Sequence, residues 1–287
     1  MGINRISLGV QSLSDEELQW MNRAHSAQQS LSAVALILNS GDFALSVDLI
    51  YGGLLKTHSQ WEQELQWAQS SGIHHLSCYA LTIEEKTALG KWAKKDPSLQ
   101  PPDSHMEAQF LALSQWAQSN QWEHYEVSNL ARSTDFIAQH NSAYWHGEKY
   151  WGIGPGAHGF NGHERRWNIA NNANYIKNIS AQEPYFETEN LLLQDRANEM
   201  IMTQLRLATG LNLSLLEELL SNRHFFSPNQ PTPQPPLWDS WLRDSRKTIE
   251  SFHNKGWLNT ISNHLILTTQ GRLFADYIAS ELMFVST

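Results

Sequence analysis

With 287 residues, 41% hydrophobic and 17% charged, the chain has the apolar content of a folded protein with one large or two ordinary domains. Its 20 basic and 29 acidic residues leave a net charge of -9, which repels phosphate backbones and argues against a nucleic-acid partner. A single cysteine, Cys78, excludes an internal disulfide and any site that needs several thiolates from these residues.

Arg5–Gln11 alternates Ile6, Leu8 and Val10 with smaller or polar residues, and this period of two predicts a strand. Ser14 follows, with Glu17 three residues on, a capping-box pattern that opens a helix. A second helix is predicted over 28–39, with Leu31, Val34, Ala35 and Leu38 on one face and Gly41 as its stop. Residues 44–50 form an apolar run broken only by Ser46 and Asp48, which reads as a strand carrying a carboxylate near its C-terminal end. Helical spacing returns over 60–71, and a third strand is expected at 75–81. Strands alternating with helices imply parallel pairing through right-handed crossovers.

Pro97, Pro101 and Pro102 mark a loop, and Ser104 with Glu107 repeats the capping-box pattern ahead of a helix to Asn120. Residues 123–127 are expected as another strand. Gly152, Gly154, Gly156 and Gly159 make 150–160 a backbone that turns sharply or approaches something closely. From Leu191 the pattern is helical, with 197–207 strongly amphipathic. The Gln/Pro-rich stretch 227–236 is expected to be an extended, exposed insertion. A helix over 238–256, strands at 258–259 and 265–267 and a closing helix over 269–284 suggest a winged-helix-like module for packing or partner binding.

Three linked segments, NRISLGVQS at 4–12, NRAH at 22–25 and VDLIYG at 47–52, have specific order and spacing. With SCYALTIE at 77–84, HNSAYW at 140–145 and GIGPGAHG at 152–159, they resemble the radical-SAM family of the HemW heme chaperones and oxygen-independent coproporphyrinogen III oxidases. The resemblance covers nearly the whole chain and weakens after Phe160. It implies an α/β fold: the C-terminal half of a six-unit (βα) partial barrel over 1–186, then a smaller helical, winged-helix-like domain over 187–287. It also implies S-adenosylmethionine contacts at Gln11, Arg23 and Asp48. An arginine fork suits the methionine carboxylate, while Gln and Asp suit ribose hydroxyls at a barrel mouth.

By the same resemblance, His140 of HNSAYW is the expected ligand to heme iron, with Tyr144 and Trp145 as stacking surface for a porphyrin. His158 is a second candidate. The bland readings are a capped or hydrogen-bonded strand end for Asp48, a surface ion pair for Arg23 and a satisfied structural group in a loop for His140.

The chain departs from the family in one respect that governs its chemistry. The CxxxCxxC motif that holds the [4Fe-4S] cluster, and the glycine-rich segment that binds the methionine amine, are absent, and the first strand matches the family's fourth. The expectation is a HemW-like heme-binding or heme-delivery protein in truncated form, without radical activity on its own. The alternatives are a coproporphyrinogen oxidase-like enzyme completed by a missing N-terminal half, or an inactive fragment or scaffold. Half a barrel exposes a parallel strand edge, so low stability or a homodimer is expected. Heme and a heme-accepting protein are the expected partners. No apolar run reaches the roughly 18–20 residues of a membrane span, and residues 1–12 lack signal-peptide character, so the expected location is the cytoplasm.

Overall fold

The computed structural model describes residues 2–41, 43–221 and 237–284, so the Gln/Pro-rich stretch lies outside the described residues. The chain divides into two compact units, Met1–Ile137 and Ala138–Thr287. Residues 138–186, which the family pattern groups with the barrel, therefore fold with the C-terminal unit.

The first unit contains β1 (Arg5–Gln11), α1 (Asp15–Trp20), α2 (Ala27–Ser40), β2 (Ala44–Tyr51), α3 (His58–Ser70), β3 (His75–Ala80), α4 (Ala88–Lys95), α5 (Asp103–Ser119) and β4 (Asn129–Ala131). One sheet runs in the order β1-β2-β3-β4. The first three strands pair in parallel through helical crossovers, as the alternation predicts. The fourth pairs antiparallel with β3. Of the strand expected at 123–127, only a single bridge, Glu123 to Ala131, is formed. The strand falls instead on Asn129, Leu130 and Ala131, all of which are buried.

Leu45, Val47, Leu49 and Tyr51 point to one face of β2 and are buried, with Trp61, Leu65, Phe110 and Leu113 of α3 and α5 also in the core. The opposite face is polar. There Asp48 accepts a hydrogen bond from Ser7 Oγ at 3.2 Å, and Ser46 Oγ meets His75 Nδ1 at 2.7 Å. This face carries serine, aspartate and histidine, and Ser46, His75 and Ser77 on it are buried. β1 pairs only with β2 and stands as an edge among the described residues.

The capping signals are partly redirected. Ser14 caps α1 as expected, accepting from Glu17 N–H at 3.4 Å. The Glu17 side chain does not return to the cap but enters a buried cluster. Ser104 caps nothing, because α5 already begins at Asp103, with Pro102 at its N-cap and no side-chain cap bond. Complete capping boxes occur instead at Ser26 with Gln29 and Thr57 with Gln60.

The second unit contains α6 (Gln139–Trp145), β5 (His158–Phe160), β6 (Glu164–Asn168), α7 (Asn172–Ala181), β7 (Phe186–Asn190), α8 (Leu193–Gln204), β8 (Leu211–Asn212), α9 (Leu213–Ser221), α10 (Leu237–Asn254), β9 (Leu258–Ile261), β10 (His264–Leu267), α11 (Thr269–Arg272) and α12 (Ala275–Leu282). An antiparallel sheet, β5-β6-β7, takes up the glycine-rich segment. A Cβ at Gly152 would lie 2.4 Å from the His158 carbonyl oxygen, so the close approach is to the chain's own backbone. Farther on, β8 joins the expected strand pair in the order β8-β10-β9, packed with α8, α9, α10 and α12 around Ile201, Leu216, Phe252 and Ile278. The closing helix is broken between Arg272 and Ala275.

Candidate functional site

In the first unit, the parallel register aligns Gly9 with Asp48 and Asp48 with Ser77, so Asp48 sits at the centre of the polar sheet face. Ser7 and Ser77 both bond the Asp48 carboxylate, while burial pushes its pKa above the ordinary carboxylate range. Gln11 ends β1 at a bulge, with φ of 70°, in the left-handed region. Its amide folds back over the strand: a Cβ at Gly9 would lie 2.5 Å from Gln11 Nε2. Arg23 is exposed in the loop after α1, where its N–H donates to Leu18 O at 2.8 Å. His25 Nε2 lies 3.2 Å from Val10 O and ties that loop to β1. Adjacent strands thus carry Gln11 and Asp48, and Arg23 lies on a loop held against the same strand.

Three polar groups on this face were not singled out from the sequence: Ser7, His75 and Ser77. His75 lies between Ser46 and the Tyr125 hydroxyl, 2.8 Å from its Nε2, and burial lowers its pKa to about 3. The ring is neutral at physiological pH. The signal was the period of two itself, since Ser46, Asp48, His75 and Ser77 occupy alternate positions of two strands read only for their apolar residues.

Behind the C-terminal ends of β1 and β2 lies a buried ionic cluster that the sequence reading missed entirely. Lys56 Nζ is 3.0 Å from Glu17 Oε2 and 2.5 Å from Glu64 Oε2, with the lysine side chain fully buried. Ser12 Oγ lies 2.5 Å from Glu17 and 2.9 Å from Glu64. One hydroxyl proton serves one acceptor well, and burial holds the Glu17 carboxyl above its ordinary range. The backbone N–H of Leu13 donates to Glu64 at 2.7 Å, and Gln109 joins the Gly52 N–H to the Lys56 carbonyl. The cluster fixes the segments that follow Gln11 and Tyr51.

Cys78 points away from the polar face, is 1% exposed, and its thiol is pushed well up by burial. No group of three or more His, Cys, Asp or Glu side chains that could hold a metal ion exists among the described residues. No described helix is long and apolar enough to cross a membrane.

In the second unit, HNSAYW forms the short helix α6, with His140 exposed. Residues i and i+4 share a helix face. The His140 ring accordingly meets Tyr144 edge-on at 4.8 Å, and Tyr144 meets Tyr150 in the same way at 4.8 Å. Beyond Tyr144 opens a cavity of about 400 Å³, lined by Trp145, Tyr150, Phe160, Arg165, Arg196 and Glu199 among others. His158, on β5, is exposed, with its ring 6.5 Å from that of Trp167 and no part in this cavity's lining.

No family model matches the chain. Over 283 residues it is 28% identical to the heme chaperone HemW of Mycobacterium tuberculosis, covering 98% of this chain and 66% of that protein. With HemW of Bacillus subtilis it shares 26% identity over 278 residues. A shorter match of 159 residues, 38% identical, is to the mitochondrial radical S-adenosyl methionine domain-containing protein 1 of Mus musculus. The chain thus spans about two thirds of the length of the HemW relatives. Among solved structures, coproporphyrinogen III oxidase HemN of Escherichia coli, a radical SAM enzyme, matches 98% of this chain and 64% of its own with a TM-score of 0.73 at 16% identity, a likeness of fold. The chain is therefore similar, in sequence over nearly its whole length and in α/β fold, to the radical-SAM proteins of the HemW and HemN-like family.

Proposed function

We propose that this chain binds heme through His140 on α6, as a HemW-like heme-binding or heme-delivery protein. The observation that carries the reading is the exposed imidazole set against an aromatic array. A neutral ring nitrogen suits heme iron, and Tyr144 and Tyr150 offer apolar surface to a porphyrin beside it. Heme would supply the iron and its macrocycle, and His140 a ring nitrogen to hold it. Titration with hemin, followed by difference absorption in the Soret region, tests this. His140→Ala is expected to weaken binding at least tenfold and shift the band; an unchanged spectrum and affinity in the variant would remove His140 as ligand.

The sheet β1-β2-β3-β4 corresponds in this reading to the second half of a radical-SAM barrel, and α8 to α12 with β8, β9 and β10 to a winged-helix-like C-terminal module. Gln11, Arg23 and Asp48 fit an S-adenosylmethionine contact: the polar face provides a carboxylate for hydroxyl groups, and the exposed guanidinium a partner for a carboxylate. The residues do not fit a [4Fe-4S] cluster, because one buried thiol cannot replace three thiolates, so no radical step is assigned to these 287 residues. A heme-accepting protein, pairing through the β1 edge and a cytoplasmic setting complete the proposal.

A further inference from the structure

We propose that the cavity on the β5-β6-β7 sheet, beside the glycine-rich segment, is an oxyanion site that takes a flat ring bearing a phosphate or carboxylate, with Arg166 and Lys149 as cationic partners and Trp151 as a stacking face. The site shares no residue with His140 or with Gln11, Arg23 and Asp48, so it goes beyond the heme and S-adenosylmethionine readings and stands or falls without them.

The register of the sheet opens the site. Arg166 of β6 sits opposite Gly159 of β5, so the neighbouring strand offers no side chain to cover the guanidinium. Gly159 is itself packed on Gly152: a Cβ at Gly159 would lie 3.1 Å from the Gly152 nitrogen. Backbone thus meets backbone, and an opening of about 520 Å³ remains over this face, the size of a small-molecule site.

Asn168, 3% exposed, joins the parts. Its Nδ2 donates to Gly152 O at 3.2 Å and to Gly154 O at 2.9 Å, while its Oδ1 accepts from Arg166 Nε at 3.4 Å. One buried amide therefore ties the glycine loop to the arginine. The guanidinium carbon lies 3.7 Å from the Phe186 ring centroid and 5.1 Å from that of Tyr185. Two rings and a bond at Nε hold the arginine in place and leave both terminal nitrogens, the pair that grips a carboxylate or phosphate in two-pronged fashion, without an acceptor among the described residues.

The charges do not cancel. Arg166 and Lys149 line the opening against one acid, Glu164, and neither cation has an ion pair among the described residues. Glu164 is two residues from Arg166, roughly 7 Å along an extended strand, too far to neutralise it. An excess positive charge in a small opening selects an anion. Trp151 and Ile153, on either side of Gly152, are 91% and 90% exposed and also line the opening, with Tyr175 and Tyr185 across from them. A planar ring laid on Trp151 removes that apolar surface from water. A purely apolar partner would bury two cations without compensation, and a bare metal ion would be repelled by them, so a flat anion meets both demands together.

Adenosine 5'-monophosphate and 2-naphthoate serve as phosphate and carboxylate probes, each beside an uncharged counterpart, adenosine and 2-naphthamide, titrated calorimetrically into the full chain at low salt. The anion of at least one pair is expected to bind about tenfold more tightly than its counterpart, and the pair with the larger ratio identifies the oxyanion. Lys149→Met, at an exposed position, is expected to cut that ratio severalfold, and Arg166→Met to abolish it. Because Arg166 also packs on Phe186, Arg166→Lys is measured beside it; this variant keeps the charge, loses the fork and is expected to retain only part of the ratio. Trp151→Ala is expected to weaken an anion and its counterpart by the same factor and leave the ratio intact. Equal binding of anion and counterpart in both pairs, a ratio undiminished in both Lys149→Met and Arg166→Met, or no binding of any probe overturns the site. Affinities that Trp151→Ala leaves unchanged overturn the role given to the ring.

Discussion

Replacing Lys56 with methionine removes one ammonium and leaves two carboxyl groups facing each other in the interior. Both are nearly dry: Glu17 is 2% and Glu64 3% exposed. Their remaining donors are Ser12 Oγ and the Leu13 N–H, which were already engaged in the intact cluster. Taking the cation from a buried ion pair costs about 3–5 kcal/mol, because the stranded charge is neither solvated nor paired. With a urea dependence of about 1–3 kcal/mol/M, the unfolding midpoint of this unit should fall by on the order of 1–5 M. The loss should also depend on pH. Burial already holds the Glu17 carboxyl above its ordinary range, and removing Lys56 takes away the main group that pulls it down. A carboxyl with a raised folded-state pKa contributes stability at low pH and loses it as pH rises through that value. Lys56→Met should therefore cost more at pH 8 than at pH 5. Urea unfolding at both values, followed by circular dichroism and by Trp fluorescence, makes the comparison. The triple replacement Glu17→Gln, Lys56→Met, Glu64→Gln should recover part of the loss, since no charge is then stranded. A cost below about 1 kcal/mol at pH 8, with no change between the two pH values, would refute the view of the cluster as a charge-balanced clamp.

Glu17→Gln alone, which keeps the shape and removes the acid with the raised pKa, should flatten the stability profile between pH 5 and 8; an unaltered slope would show that the Glu17 carboxyl is not held above its ordinary range. His75, with its pKa lowered to about 3, stays neutral in the fold and charges only on unfolding. Its contribution is therefore full above the ordinary imidazole range and declines as pH falls through about 6.5 toward 3, and acid titration of the intact chain against His75→Gln should reveal the difference. Because Cys78 is 1% exposed with its thiol pushed up, iodoacetamide should label it only in denaturant, and stoichiometric labelling of the native chain would contradict the packing of β3. Asp48→Asn should leave the fold intact within about 1 kcal/mol yet weaken S-adenosylhomocysteine binding, measured calorimetrically; equal binding by both forms would leave Asp48 as a strand-centre hydrogen-bond acceptor only.

Much of the first unit was legible because its strands are long enough to show alternation. β1 is found at Arg5–Gln11 as predicted, and β2 and β3 lie within a residue or so of the expected segments. The short strands were not. β4, β5 and β8 are two or three residues long, and their pairing is decided by partners distant in sequence, such as His75 with Ala131 and Leu211 with Leu265. The glycine run at 152–159 announced a close approach without saying to what. Glu17 shows a different failure, in which a local cap signal was overridden by tertiary electrostatics, because a buried lysine 3.0 Å away offers a carboxylate more than a terminal amide does. Lys56 itself carried no signal at all. A lysine beside threonine in a turn reads as solvated, and only the fold reveals that two acids converge on it.

The candidate residues were legible in type but not in setting. Asp48 was expected as a carboxylate near the C-terminal end of its strand; what the sequence did not show is the polar row around it, in which Ser7 and Ser77 already bond it. That distinction bears on function. A sheet face that needs only to contact water has no need of serine at Ser7 and Ser77 directed at one half-buried acid, whose ionised form burial disfavours. A ligand bearing hydroxyl groups would complete the coordination that two serines begin, while a face covered by apolar helices would leave the acid stranded. The polar row and the aromatic array of α6 therefore make separable demands, the first for a hydroxyl-rich ligand and the second for a flat one, and each can fail in experiment without the other.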